Sequence, residues 1–250
     1  MMSKVTLILL FCLLLSSCSL IYRGVLGVDL SPQWMDDKDI VKKQNKLEIQ
    51  SDFHLVLDTA SYTNSIKEMM QMQMDSLPKD TSIMTKKLKY KVGSVANDDL
   101  QPTQVRLFTR EGNEIFKLVN CYVDPPIPMD WNVDSCFNAF PPHLSGLVIN
   151  THNYDLDFLL RHTSDMKGNS VEISDLPEGD YYMVVMWNSF LIRPSKKLIG
   201  EVKDYIAANS ERNIVLIYIN NHNQQIWGQL DAETRKLVFE YEQELKEVVE

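Results

Sequence analysis

Apolar and polar positions fall into a run of distinct patterns along the chain. From Val5 to Leu15 (VTLILLFCLLL) the residues are apolar except for one threonine, and Lys4 precedes them. A short positive end followed by an apolar stretch of about 7–15 residues has the form of a secretory signal, and it falls short of the ~20 residues that a membrane-spanning helix needs. Residues 19 to about 33 read as a tether, and the charged stretch Asp36 to Gln50 as a surface helix. Phe53-His-Leu-Val-Leu-Asp58 alternates as a strand does, Asn64 to Met74 reads as a helix, and Lys87 to Val95 reads as a further strand. Thr103–Thr109 and Glu114–Cys121 flank Arg110-Glu-Gly-Asn113, where Gly112 and Asn113 tolerate positive φ, so a β-hairpin is predicted.

Prolines then interrupt the chain. Pro125, Pro126, Pro128, Pro141 and Pro142 exclude helix and central strand between 124 and 142, and a boundary or change of layer is placed there. Beyond it, Gly146–Asn150 and Ser170–Ile173 read as short strands. Tyr181–Trp187 and Asn213–Ile219 are continuous apolar runs, as in strands covered on both faces. Between them Ser195 is placed as the cap of a helix to about Asn209, with Leu198, Ile199, Val202, Tyr205 and Ile206 on one face. Two buried strands joined by one amphipathic helix predict a βαβ unit with a parallel pair. A last helix is expected from Asp231. The fold class is therefore mixed α/β (α+β), with a βαβ core in residues 143–250 and a hairpin-containing α/β region in residues 34–142. The hairpin is expected in a separate β-rich layer.

Composition narrows the function classes. With 34 acidic against 25 basic residues the net charge is −9, and 44% of residues are hydrophobic, which suits a globular chain. No basic cluster stands out against this balance, so nucleic acid is not an expected partner. Leu15-Ser16-Ser17-Cys18 resembles the lipobox of bacterial lipoproteins. That resemblance implies cleavage before Cys18, lipid on its sulfur, and acylation of the new amine. Ser19 follows where an aspartate would resemble the inner-membrane retention signal. The expected location is thus the outer membrane, facing the periplasm, with envelope proteins as possible partners. Of the remaining cysteines in the mature chain, Cys121 and Cys136 form an even pair in an oxidising compartment, and a structural disulfide is the default. In the chain-entropy model such a loop contributes about 3 kcal/mol. A redox-active pair is the alternative.

Residues 168–219 resemble the thioredoxin-like redoxins of the TlpA and ResA type. The family's hairpin edge is matched by Gly168-Asn-Ser-Val-Glu-Ile-Ser-Asp175-Leu176. The turn Pro177-Glu-Gly179 follows, then the buried strand ending in Trp187 and continuing Asn188-Ser189-Phe190, and Pro194-Ser195-Lys196-Lys197-Leu198 stands where the family helix begins. The resemblance covers under a quarter of the mature chain. It implies a thioredoxin-like fold, but the chemistry of the family needs a thiolate at the helix start. The loop here is Asn188, Ser189, Phe190, Leu191, Ile192, Arg193, Pro194 and Ser195, without cysteine, which excludes thiol–disulfide exchange at that place. No proline follows residue 194, and Gln101-Pro102-Thr103 looks similar to the missing cis-proline strand, as in a permuted arrangement.

Other candidates are weaker. His54, His143, His152, His162 and His222 show no ligand spacing, so neither metal nor cofactor is expected. Met69, Met70, Met72 and Met74 do not converge on one point of a helix and read as packing. Asp175 and Glu178 read as turn residues, and Arg193 as a surface residue, with anion binding at the helix start as the alternative. The expected function is a membrane-anchored, non-catalytic binding or scaffold module. The rival is a thiol-disulfide redox protein that uses Cys121 and Cys136.

Overall fold

The computed structural model describes residues 28–29, 33–49, 53–120, 123, 130–144 and 154–227. The signal segment, Cys18, Cys121, His152, the strand expected at 146–150, the helix expected from Asp231 and most of the proline-rich segment lie outside the described residues.

The elements follow in the order α1 (Asp37–Lys46), β1 (His54–Leu57), α2 (Thr59–Ser76), α3 (Ile83–Asp99), β2 (Gln104–Thr109), β3 (Glu114–Val119), α4 (Leu156–Leu160), β4 (Thr163–Asp165), β5 (Tyr181–Trp187), α5 (Ile192–Ala208), β6 (Ile214–Asn220) and α6 (His222–Trp227). Short 3₁₀ segments lie at Val133–Asn138, Ile173–Asp175 and Ser210–Arg212. The six strands form one mixed sheet in the order β3-β2-β5-β6-β1-β4. β5 and β6 are parallel and joined through α5, as the βαβ pattern predicts. β1 runs parallel to β6 on its other side, and β4 closes that edge antiparallel to β1. The hairpin does not form a layer of its own. Its strand β2 pairs antiparallel with β5 over six residues, so both halves of the chain share the sheet.

Alternation along β5 explains its unbroken apolar sequence. Met183, Val185 and Trp187 join Val105, Leu107, Leu198, Ile199 and Val202 in the core under α5. Tyr182, Val184 and Met186 join Leu55, Leu57, Tyr62, Ile66 and Leu156 in the core on the opposite face. Side chains point alternately to the two faces, so a strand covered on both sides is apolar at every position. The hairpin turn also forms as predicted: Gly112 has φ 84, and its N–H donates to Thr109 O at 2.9 Å.

Three local expectations are corrected. The strand expected at 87–95 is part of helix α3. Its Lys-Leu-Lys-Tyr-Lys-Val sequence alternates locally, but Leu88, Val92, Val95 and Ala96 fall at helical spacing on the more buried side, and Val92, Val95 and Ala96 line a small hollow together with Ile66, Met69 and Met70 of α2. Ser82 Oγ accepts the Thr85 N–H and starts the helix. Ser170 makes only an isolated bridge to Ser164, and Ile173 begins a 3₁₀ turn. Finally, α5 starts three residues before Ser195, with Leu191 as its cap residue. Pro194 lies in the first turn, where its missing N–H has no intrahelical acceptor to lose.

Candidate functional site

The carboxyl ends of parallel strands are where open α/β sheets place their ligands. Here the chain leaves β5 at Asn188, and this residue organises the loop that resembles a redoxin site. Asn188 Oδ1 accepts the Leu191 N–H at 2.8 Å, replacing a side-chain cap on α5. Asn188 Nδ2 donates to Pro102 O at 2.7 Å and to Thr103 Oγ1 at 3.3 Å. The Gln101-Pro102-Thr103 segment therefore lies directly against the loop, and the peptide before Pro102 is not cis. Ser195 is fully buried, and its hydroxyl donates to Asn188 O at 3.3 Å. It braces the loop from within and has no open side from which to act.

Two further segments close this end of the molecule. Trp131, fully buried, donates its indole N–H to Pro194 O at 3.0 Å. Val28 bridges Leu191, and the Asp29 N–H donates to Phe190 O at 2.7 Å. The Met35 N–H donates to Asn223 Oδ1, and Asn223 Nδ2 donates back to Met35 O, each at 2.9 Å. His222 Nε2 lies 2.8 Å from Gln33 O, which only accepts, so Nε2 carries the proton. Its Nδ1 faces Ser189 Oγ at 3.0 Å. Residues 28–29 and 33, read from the sequence as part of a tether, together with Trp34 and Met35, thus lie as a strap over the loop at residues 188–195. Ser189, Phe190, Leu191 and Ile192 are half-buried beneath it, and Arg193 is exposed. The loop at residues 188–195 holds no thiol, and Leu191 and Ile192 are aliphatic.

His54, His162 and His222 are placed as packing groups, and His143 is exposed. Trp187 Nε1 donates to His54 Nε2 at 3.1 Å, and His54 Nδ1 lies 3.2 Å from Met166 Sδ. Burial pushes His54 down to about 4. His162 Nδ1 meets Ser61 Oγ at 2.8 Å, and burial lowers His162 and His222 as well. His143 shares no cluster with them, and no group of three or more His, Cys, Asp or Glu among the described residues is arranged to hold a metal ion.

A second polar constellation escaped the sequence reading. Arg106 is fully buried in the middle of β2. Its Nη1 donates to Glu114 Oε1 at 2.6 Å, its Nη2 to Asp99 Oδ1 at 2.7 Å, and its Nε to Gln104 Oε1 at 3.0 Å. Lys117, the cross-strand partner of Arg106, donates to the same Asp99 oxygen at 3.3 Å, so one carboxylate compensates two facing cations. The guanidinium also lies 4.0 Å above the Tyr154 ring, and the Tyr62 and Tyr154 hydroxyls are 2.7 Å apart. Burial opposes the Arg106 charge, but Glu114, Tyr154 and Asp99 outweigh it, and its pKa rises well above the ordinary value. Two cations meet two carboxylates with every guanidinium nitrogen bonded. The cluster pins the end of α3 to the hairpin and leaves no open coordination for a ligand. The only sequence signal was a set of charges on both strands of a hairpin, which an exposed hairpin would share.

Cys136 is a buried free thiol, with Sγ donating to Trp131 O at 3.4 Å. Burial pushes its pKa up to about 11, and Asp130, Asp134 and Glu201 add to the rise. Its expected partner Cys121 lies outside the described residues. A separate hollow of ≈ 330 Å³ opens beside Phe53, Leu55, Asp165, Asn169, Ser170, Val171 and Asp175. Its acids are occupied: Asp165 accepts from the Lys167 and Asn169 N–H groups, and Asp175 accepts the Glu172 N–H, so the turn reading of Asp175 accounts for its bonds. Of the methionines on α2, Met69 and Met70 pack against the core, while Met72 is exposed. No helix of the described residues is long and apolar enough to cross a membrane. No protein-family model, curated protein or solved structure matches the chain.

Proposed function

We propose that this chain is a lipoprotein held by lipid on Cys18 at the outer membrane, facing the periplasm, and that its α/β body is a non-catalytic, thioredoxin-like binding or scaffold module. The observation that carries the reading is the closed loop at residues 188–195. It has the redoxin position, at the end of a central parallel strand and the start of the following helix, but it lacks a thiol. Asn188 and Ser195 are fully buried, and the strap residues 28–29 and 33–35 cover it. The strand order β3-β2-β5-β6, with the hairpin antiparallel to β5 and Pro102 against the loop, supports a redoxin core whose hairpin comes from earlier in the chain. A closed end favours a surface that other envelope proteins contact over a cleft that turns over a substrate.

The redox rival depends on Cys121 and Cys136. An attacking thiol needs thiolate character, and a thiol pushed up to about 11 has about 100-fold less thiolate at neutral pH than one near 9. A structural bridge between the two cysteines is compatible with the proposed function and with the burial of Cys136 beside Phe116 and Leu118. The test has two arms. In the first, the mature protein is assayed for disulfide reduction and for reaction of its native thiols with an aromatic disulfide. No turnover is expected, and neither is any thiol reacting faster than a model cysteine. Turnover lost in Cys121→Ser with the fold intact would replace the scaffold reading by the redox one. In the second arm, cells are labelled with palmitate. Wild type is expected to take label and Cys18→Ala to take none, and equal label would remove the anchor.

A further inference from the structure

Helices α2 and α3 form a hairpin that the cores hold mainly at its base. Tyr62, Thr63 and Ile66 of α2 are buried, as are Ala96, Asp98 and Asp99 of α3, whereas most of the stretch between Gln71 and Lys91 is exposed. On this outer part the surface is apolar to an unusual degree: Met72 is 73% exposed, Ile83 74%, Met84 66% and Tyr90 80%. Ile83 and Tyr90 are seven residues apart, two turns along one line of the helix, on the side opposite Leu88, Val92 and Val95. Lys86 and Lys87 stand on either side of that line. Lys79, Lys86, Lys87, Lys89 and Lys91 are all exposed in this stretch, against the two acids Asp75 and Asp80, in a chain whose net charge is −9. On the helix Lys86 and Lys87 flank the apolar line closely, and Lys89 and Lys91 lie farther round on its two sides.

Location adds a second, independent argument. β1, β5 and β6 end level with one another, since Val56 and Trp187 both pair with Asn220. α2 departs from that edge at Thr59, α3 returns to it at Leu100, and the strap residues 28–29 and 33–35 are bound to it through Leu191, His222 and Asn223. The base of the basic hairpin and the described residues nearest to Cys18 in the chain meet at the same end of the sheet.

We infer that the outer face of the α2–α3 hairpin lies on the anionic surface of a phospholipid bilayer, with Ile83, Met84, Tyr90 and Met72 at the acyl–headgroup boundary and Lys86, Lys87, Lys89 and Lys91 on the lipid phosphates. The combination of an apolar line with flanking lysines suits an interfacial helix, whose lysines reach past their apolar stems to the headgroups. A protein partner of stable type would bury the apolar residues without needing the lysines. The inference rests on the lipid-anchor reading for its geometry and gives that anchor a second contact that orients the body on the membrane.

The full-length lipidated protein carrying Tyr90→Trp, reconstituted with vesicles of brominated phospholipid, provides the test, with wild type subtracted to remove the native indoles. In vesicles containing phosphatidylglycerol the emission of the indole at position 90 is expected to shift to the blue and to be quenched, and high salt reverses this. Lys86→Gln with Lys87→Gln should lower the docked-to-undocked ratio about 25-fold, at about fivefold per lysine near an anionic surface. These positions are exposed, and an unchanged thermal melt verifies the fold. Absence of quenching, quenching indifferent to the lysine changes, or a photo-crosslinker at position 90 that captures a discrete protein in cells in place of phospholipid would each overturn the inference. Flotation of the wild type with purely neutral vesicles reads the anchor separately. Failure to float there removes the anchor while quenching on anionic vesicles still stands, and flotation without quenching removes the docking alone.

Discussion

Trp187 is fully buried at the end of a central strand, and its indole N–H has one acceptor, His54 Nε2, which accepts only while unprotonated. This contact makes the stability of the protein depend on pH. Burial holds His54 at about 4 in the folded protein, against 6.5 for an ordinary histidine. Between those values the unfolded chain binds a proton that the folded chain refuses, so stability rises with pH across the window and is lost as pH falls through it. Each pH unit between the two values is worth about 1.4 kcal/mol, so the contribution lost from pH 6.5 to 4 is about 3 kcal/mol. Below pH 4 the group adds no further slope. The lowered pKa values of His162 and His222 act in the same direction. Urea unfolding measured at a series of pH values should show this acid loss in the wild type. In His54→Gln, whose amide oxygen still accepts from Trp187 but does not titrate, the loss should be smaller by that amount. Parallel pH curves for the two proteins would show that His54 is not the group responsible.

Among the elements, the hairpin and α3 depend on one another through Arg106. Cutting the guanidinium away leaves Asp99 and Glu114 buried with only Lys117 to compensate them, and Arg106→Met should cost about 3–5 kcal/mol in urea unfolding. Arg106→Met with Glu114→Leu removes a cation and an anion together and should be less destabilised than Arg106→Met alone. Additive losses would mean the two side chains do not act as a unit. This network also marks the boundary of what the sequence could tell. β5, α5, β6 and the hairpin were legible because burial on both faces, a helical stripe and a Gly-Asn turn are each written within a few consecutive residues. The pairing of β2 with β5, the partners of Arg106 and the strap on Leu191 join residues far apart in the chain, and nothing local announces them. α3 departs from the strand expected at 87–95 for the opposite reason: Lys87 to Val92 alternates over a short window, and the longer spacing that joins Leu88, Val92 and Val95 prevails. Ser195 is the stronger capping residue by type, but a first helical turn tolerates Pro194, so α5 begins at Ile192 instead.

At the scale of the whole molecule, the strap decides whether the redoxin-like end is a built surface or a covered cleft. Asn223 holds it by both functional groups, accepting from the Met35 N–H and donating to Met35 O, and His222 adds the contact to Gln33 O. Met35 itself is buried in the core beneath α5. Asn223→Ala removes two hydrogen bonds at once, each with a net worth of about 1 kcal/mol. If the strap belongs to the cooperative core, the whole protein should lose about 2 kcal/mol in urea unfolding, and the Asp29 and Met35 amides should exchange only with global unfolding. If the strap is an independent lid, those amides should exchange faster in Asn223→Ala while the global midpoint stays in place, since local openings draw on their own free energy. The burial of Met35 and the enclosure of Asn188 and Ser195 favour the first outcome, and that outcome is the one a scaffold requires. A lid that opened freely above Leu191 and Ile192 would instead present an apolar hollow at the end of a central strand, and would turn the search from a partner surface to a bound ligand.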